Sequence, residues 1–478
     1  MDGRSRPDSR QNTRRETLRR GALATGALLI GPALVGCATA QGHRARPAPA
    51  TPTTHLVVSL SYHGAGVYGG VVRDLVDAYI AQNFASQHAG VAVTTVVPPV
   101  AAAPSATTAP QDAASIVAPV VAGKGPDVLS GTGYQLAAFM DAALLIPLDA
   151  LVRQAGLDLS AFDPGHLEVL RQLPQAPATA APGGATPPNS TLFGLPAYDG
   201  PAVVLVNRST LDAAGLALPD ANWTSEQAVG IWSRLAGQRA GRHHYGMAFD
   251  LQDYFLHLFG GDLMSPDGSR CLLDQPLVLQ AANWLVPLYQ NGIADVMSTG
   301  AGGDVRSGVA TFGMTEGSSL QAAVLAMEGM KVGWDFLPMP VFPGGRRSTY
   351  NNGDWYGINA RSQHPQELLW ALFRFIASDA GLARLLFRTT FVPPNQRALR
   401  EDWLTSVRAA APVLQGKHLE YFVQAMDYGY CNHRFRRQPY ACDLILQQWI
   451  IRIFLGTVSP TLGLQQATTQ INALQAQR

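Results

Sequence analysis

Gly123 to Asp149, GKGPDVLSGTGYQLAAFMDAALLIPLD, is the stretch whose reading decides the fold. Gly123, Gly125 and Pro126 break whatever precedes them. Asp127-Val-Leu129 then predicts a short buried strand. Ser130-Gly-Thr-Gly133 predicts a loop at its carboxyl end, and Tyr134 to Ala143 a packed apolar helix. Leu144-Leu-Ile-Pro-Leu-Asp149 closes the unit. Ligands in open α/β sheets gather at the carboxyl ends of strands. Ser130 and Tyr134 are therefore the first candidate site residues.

The chain on either side repeats the pattern. His55-Leu-Val-Val-Ser-Leu60 is β-branched and reads as a first strand, ending in Ser61-Tyr-His-Gly-Ala-Gly66. That loop adds Tyr62 and His63 to the candidates. Val67 to Ala85 reads as an amphipathic helix, Val91 to Val97 as a second strand, and Ser115 to Ala122 as the helix leading into the central stretch. Strand–helix alternation predicts an α/β fold with a mostly parallel sheet. Further on, Leu173 to Thr191 is a Pro/Ala/Gly-rich surface excursion. Trp223-Thr-Ser-Glu226 reads as a helix start that Thr224 or Ser225 can cap. Asp253 to Phe259, Leu277 to Tyr289, Pro365 to Ser378, Gln415 to Tyr428 and Leu444 to Leu455 read as further helices.

A chain of 478 residues exceeds one small core and implies two or more domains. An apolar fraction of 47% permits large cores, and a net charge of +1 gives nothing that would draw nucleic acid. Residues 1–37 read as a targeting segment. Arg14-Arg15 opens a basic, twin-arginine-like region, and Gly21 to Gly36 is an uncharged small and apolar run. Thr17 stands where twin-arginine signals usually carry Phe. The run is shorter than the ~20 residues of a spanning helix. Leu34-Val-Gly-Cys37 resembles a bacterial lipobox, which implies cleavage before Cys37 and acylation of its thiol; the alternative is a plain signal peptide with an incidental cysteine. Residues 38–54, ATAQGHRARPAPATPTT, read as a flexible tether.

Several stretches resemble the extracellular solute-binding proteins of ABC importers, in the sugar-type branch that includes maltose- and oligosaccharide-binding proteins. After the central stretch they are Leu192-Phe-Gly-Leu-Pro-Ala-Tyr198, Val203-Val-Leu-Val-Asn207, Ala214-Gly-Leu216, Tyr245-Gly-Met-Ala248, Gly308-Val-Ala-Thr-Phe-Gly-Met314 and Val332-Gly-Trp-Asp-Phe-Leu-Pro338. Their order is that of the family, and the resemblance covers roughly Thr54 to Asp379. It implies a two-lobed periplasmic-binding-protein fold of type II, with a ligand cleft between lobes joined by crossing strands. Lobe one is expected at 54–200 and 336–388, and lobe two at 201–335 and 389–478. It also implies a binding protein, not an enzyme, with no cofactor. A monomer tethered by lipid to the outer face of the cytoplasmic membrane would capture a sugar or sugar derivative and pass it to ABC permease subunits. Two other readings stay open: a secreted carbohydrate hydrolase, and a binding protein that serves a membrane sensor.

No nucleophile elbow, zinc-binding His-Glu-x-x-His, Walker-type phosphate loop or Rossmann glycine fingerprint is present. Asp199, Asp250, Glu316 and Asp354 could form a glycosidase pair, but a sugar cleft needs the same carboxylates as hydroxyl acceptors. His243 and His244 are adjacent, so on a strand they point to opposite faces and do not share a metal. Aromatic rings suit the apolar faces of sugars. Tyr62, Tyr134, Tyr198, Trp334, Tyr350, Trp355 and Tyr356 are the candidates, and Trp355 stands out because its neighbours, Asn351-Asn-Gly-Asp354, are polar. Asp354 and Trp355 are thus expected to bind together, Trp355 stacking and Asp354 accepting a hydroxyl. Cys431 and Cys442, eleven apart across a turn in an exported chain, form the natural disulfide. The alternative is three free thiols, Cys271 included.

Overall fold

The computed structural model describes residues 53–60, 69–96, 113–131, 133–172, 190–198, 200–239, 241–250, 256–265, 268–298, 303–351, 353–386, 397–430, 435 and 437–477. Two sheets organise them.

The first sheet begins with β1 (Thr54–Ser59) and β2 (Val91–Val96), parallel from Thr54 opposite Val91 to Ser59 opposite Val96. β3 (Val128–Gly131) lies parallel on the other side of β1. The helices Gly69–Asn83 and Ala113–Val121 make the two crossovers, as parallel neighbours require. Val76 and Ile80 are the buried edge of the first, and Phe84, just past its end, continues it. A short antiparallel pair, β4 (Arg171–Gln172) and β5 (Thr191–Leu192), precedes β6 (Leu195–Tyr198).

The second sheet opens with β7 (Ala202–Asn207), AVVLVN. Every residue of β7 is buried. A strand with both faces covered reads as a continuous apolar run. Its Val203 and Leu205 join one core, and Ala202, Val204 and Val206 the other. β8 (Gly237–Arg239) edges β9 (Arg242–Asp250), and β9, β10 (Ala294–Ser298) and β11 (Ala310–Glu316) run parallel. β7 runs antiparallel to β11, and β12 (Trp334–Leu337) antiparallel to β7, giving the order β10-β9-β11-β7-β12. The helices Ser225–Leu235 and Pro276–Gln290 pack on the Ala202–Val204–Val206 face, together with Pro439–Phe454 and Pro460–Gln475. Thr224 caps the first of these in a capping box with Gln227.

The chain then returns. β13 (Thr349–Tyr350) leads to β14 (Asp354–Ile358), which inserts antiparallel between β3 and β6 and completes the order β2-β1-β3-β14-β6. Phe336, expected at the start of lobe one's second segment, lies in β12 of the second sheet, so this crossing follows Leu337. β15 (Gly429–Tyr430) pairs in parallel with β13.

The crossings are stitched together. Asn351 accepts the Gly200 N–H at 3.0 Å on its Oδ1 and donates its own N–H to the Tyr430 carbonyl at 2.8 Å. Thr349 Oγ1 donates to the Ala202 carbonyl at 2.7 Å. Asn351 is 3% exposed, so removing its amide strands a buried N–H. Asn351→Ala is therefore expected to lower stability by about 1–3 kcal/mol, read as a lower denaturation midpoint with an unchanged slope.

One expectation fails in the second core. Cys442 is a free thiol, as is Cys271, so the Cys431–Cys442 disulfide is not formed. Cys431 itself lies outside the described residues. The helix Pro439–Phe454 turns Cys442 into the core, where its Sγ takes the Gln475 amide at 3.1 Å and faces the Arg437 carbonyl at 3.7 Å. Spacing along the chain measured loop length; helix phase decided direction.

Candidate functional site

The carboxyl ends of β1, β3 and β11 and the amino end of β14 converge where the sheets meet. Ser59 ends β1, and Ser130 stands near the end of β3; Ser130 Oγ donates to Ser59 Oγ at 3.1 Å. Both are buried, and Gln135 behind them is 2% exposed. The Gln135 amide lies close over Gly131: an added Cβ would sit 2.2 Å from Gln135 Oε1, so a side chain there would require Gln135 to move.

Across from Ser130, β14 and β6 bring Asp354 opposite Tyr198, with an irregularity in register between Asp354 and Trp355. Such bulges re-aim side chains. The Tyr198 hydroxyl donates to Asp354. Glu316, the last residue of β11, accepts the Tyr350 hydroxyl at 2.7 Å. Burial first, then the carboxylates of Asp354 and Glu316, push the Tyr198 phenol well above its ordinary pKa. Asp354 comes from the first sheet and Glu316 from the second, and both act on one phenol. Tyr356 is also pushed up, by burial and then by Asp354. This ensemble of phenols and carboxylates can trade its internal hydrogen bonds for those of a polyhydroxylated molecule.

Trp355 corrects the sequence reading. It is 1% exposed and packs edge-on against Phe139 at 5.6 Å, inside the core of the first sheet. Neighbours on a strand point to opposite faces. Asp354 and Tyr356 turn toward Tyr198, so Trp355 turns away and offers no free face. Trp334 is likewise packing, with Phe336 at 5.4 Å on its edge and Lys417 Nζ at 4.4 Å over its ring.

Of the expected site residues, Tyr198, Glu316 and Asp354 are brought together, with Ser130 beside them but bonded to Ser59. Tyr62, His63 and Asp199 lie outside the described residues, as do the side chains of Tyr134 and Asp250 and the lipobox Cys37. The structure adds residues the sequence did not mark. Gln135, Asn351 and His166 are buried polar groups around the junction. Tyr430, opposite Tyr350 in β15, stacks on His257.

His243 and His244 separate as expected. One ring nitrogen meets the Gly292 carbonyl at 2.7 Å, the other Thr311 Oγ1 at 2.8 Å. Among the described residues no group of three or more His, Cys, Asp or Glu could hold a metal ion, and no helix is long and apolar enough to cross a membrane. A cavity lined by Asp158, Ser160, Asp163, Arg400 and Asp427 shares no residue with the phenol–carboxylate ensemble. The ensemble is the better candidate, because it joins both sheets at their strand ends.

A family model for bacterial extracellular solute-binding proteins matches residues 69–383. No curated protein matches the chain. Among solved structures, an ABC substrate-binding protein from Listeria monocytogenes in complex with cycloalternan is 13% identical with a TM-score of 0.65, covering 88% of this chain and 98% of its own. The sugar-binding protein MalE from Xanthomonas citri is 18% identical with a TM-score of 0.64, covering 89% and 98%. UgpB from Mycobacterium tuberculosis in complex with glycerophosphocholine is 16% identical with a TM-score of 0.65, covering 88% and 98%. At these identities the likeness is one of fold, and that fold is the two-lobed one.

Proposed function

The chain belongs to the bacterial extracellular solute-binding protein family, and from that premise we propose that its solute is a sugar or sugar derivative held between the lobes at Tyr198, Asp354, Glu316 and Tyr350. The observation that carries this is the pairing of one carboxylate from each sheet with tyrosine hydroxyls. Sugar hydroxyls are donors that carboxylates accept, and tyrosine rings give sugar C–H faces an apolar wall. A solute that bridges Asp354 and Glu316 ties one lobe to the other, and so favours closure. Two structural neighbours, one in complex with cycloalternan and one a sugar-binding protein, support the carbohydrate class.

The protein acts as a monomer without chemistry of its own and presents the solute to ABC permease subunits. A panel of mono- and oligosaccharides, polyols and glycerol phosphodiesters tests the solute class by melting temperature, since a ligand that binds only the native state raises it. A carbohydrate should raise it in a dose-dependent way. A shift with glycerol phosphodiesters alone would overturn the carbohydrate assignment.

Cys37 is the lipid anchor in this reading, supported by Leu34-Val-Gly-Cys37 after a basic and then apolar run. Cys37→Ser is expected to move the protein from the membrane fraction to the soluble fraction. A variant that stays with membranes at full precursor mass rules the anchor out.

A further inference from the structure

The helix Pro164–Val169 carries a histidine that the solute site, as described, does not use. Asp163 caps this helix, its carboxylate accepting the His166 N–H at 2.9 Å, and Pro164 stands at the first helical position. Both features fix where the helix starts. The start sets the helix phase, and the phase sends the imidazole inward, where His166 is 2% exposed.

There it meets the residue before Asp354. A Cβ on Gly353 would lie 2.4 Å from His166 Cε1, 2.9 Å from Nδ1 and 2.2 Å from the Tyr198 carbonyl oxygen. Real Cβ contacts essentially never fall under 3.0 Å. Gly353 is thus glycine for lack of space: ring, carbonyl and backbone form one closed layer. Asp354 stands directly on that layer, 7% exposed and opposite Tyr198 where the register shifts. A bulge is soft unless something packs behind it, and packed interiors transmit small displacements.

We propose that His166 is a positioning residue of the solute site: its ring backs the Gly353 turn and holds the bulge that aims Asp354 at Tyr198. The significance of this role rests on the solute-site reading above, but the geometry does not. The ring fills the space behind the turn from one side, and the Tyr198 backbone bounds it on the other. Removing the ring frees the turn to relax backward, which withdraws Asp354 from the phenol. Forcing a methyl onto Gly353 displaces the same turn from within.

The test reads Tyr198 directly and needs no solute. Tyrosines are labelled with carbon-13 at Cζ, the Tyr198 resonance is assigned with Tyr198→Phe, and the resonances are followed by NMR as pH rises. In the native protein Tyr198 should stay protonated through pH 10, held there by burial and by Asp354 and Glu316. In His166→Ala and in Gly353→Ala it should begin to ionise at a clearly lower pH than in the native protein, because Asp354 contributes less while burial still raises the phenol. Tyr79, raised by burial and by its own bond to Asp379, is the control and should not change. Should either variant fold poorly, His166→Gln supplies a smaller perturbation, with a partial shift of Tyr198 expected. An unchanged Tyr198 titration in folded variants overturns the proposal, and so does a shift of Tyr79 alongside it, which marks general loosening. If the variants shift Tyr198 as stated but no carbohydrate binds, the solute reading fails and the positioning role stands.

Discussion

Trp355→Ala is expected to lower folding stability by about 3–5 kcal/mol, the range for truncating a buried large aromatic. The ring is 1% exposed and lies in one continuous core with Phe139, Leu129, Leu145 and Ile358. Truncation removes its apolar burial and leaves a cavity in a strand flanked on both sides, where collapse is hard. Its edge-on contact with Phe139 adds a share that alanine cannot replace. Trp355→Phe keeps part of the volume and should cost clearly less. Denaturant titration of the solute-free variants measures both. A Trp355→Ala protein that unfolds at the native midpoint would put the ring back on the cleft wall.

Asp354→Asn is expected to do the reverse: weaken solute binding about thirtyfold, or ~2 kcal/mol, while the fold persists. The amide matches the carboxylate in shape and can still accept the Tyr198 hydroxyl. It loses the charge that strengthens hydrogen bonds from solute hydroxyls. Glu316→Gln, on the other sheet, should act in the same direction through the Tyr350 bond. Calorimetric titration with the carbohydrate found in the panel measures both variants. Native affinity in the two together would move the site away from the junction.

How far the sequence carries depends on the range of the physics involved. The parallel first sheet was legible because strand and helix periods alternate locally through 55–131. The stretch that forms β7 was legible only through the family resemblance of Val203-Val-Leu-Val-Asn207, since a short apolar run alone does not tell a buried strand from a buried helix. Asp354 and Trp355 were a harder case. Their polar, glycine-flanked setting suggested that both were exposed, yet period-two alternation within one strand already separates them. His166 was not legible at all, since Pro-Gly-His-Leu-Glu marks only a helix start and the role comes from a glycine far along the chain. The closing helix, Pro460–Gln475, could have been found: Ser459 caps it, Pro460 opens it, and Leu464, Ala467 and Ile471 recur at helical spacing.

The strand order of the first sheet also sets a timetable for the growing polypeptide. β3 and β6 are not neighbours; β14 lies between them, and the whole second sheet is encoded before β14 is reached. A nascent chain that ends at β12 has two unpaired strand edges facing a gap. The strand that fills it in the finished sheet, β14, comes after all of these elements in the chain. Pairings so distant in sequence form slowly. The first sheet therefore cannot lock until Ile358 has been made. Any factor that binds extended polypeptide would have that long interval in which to act before folding competes.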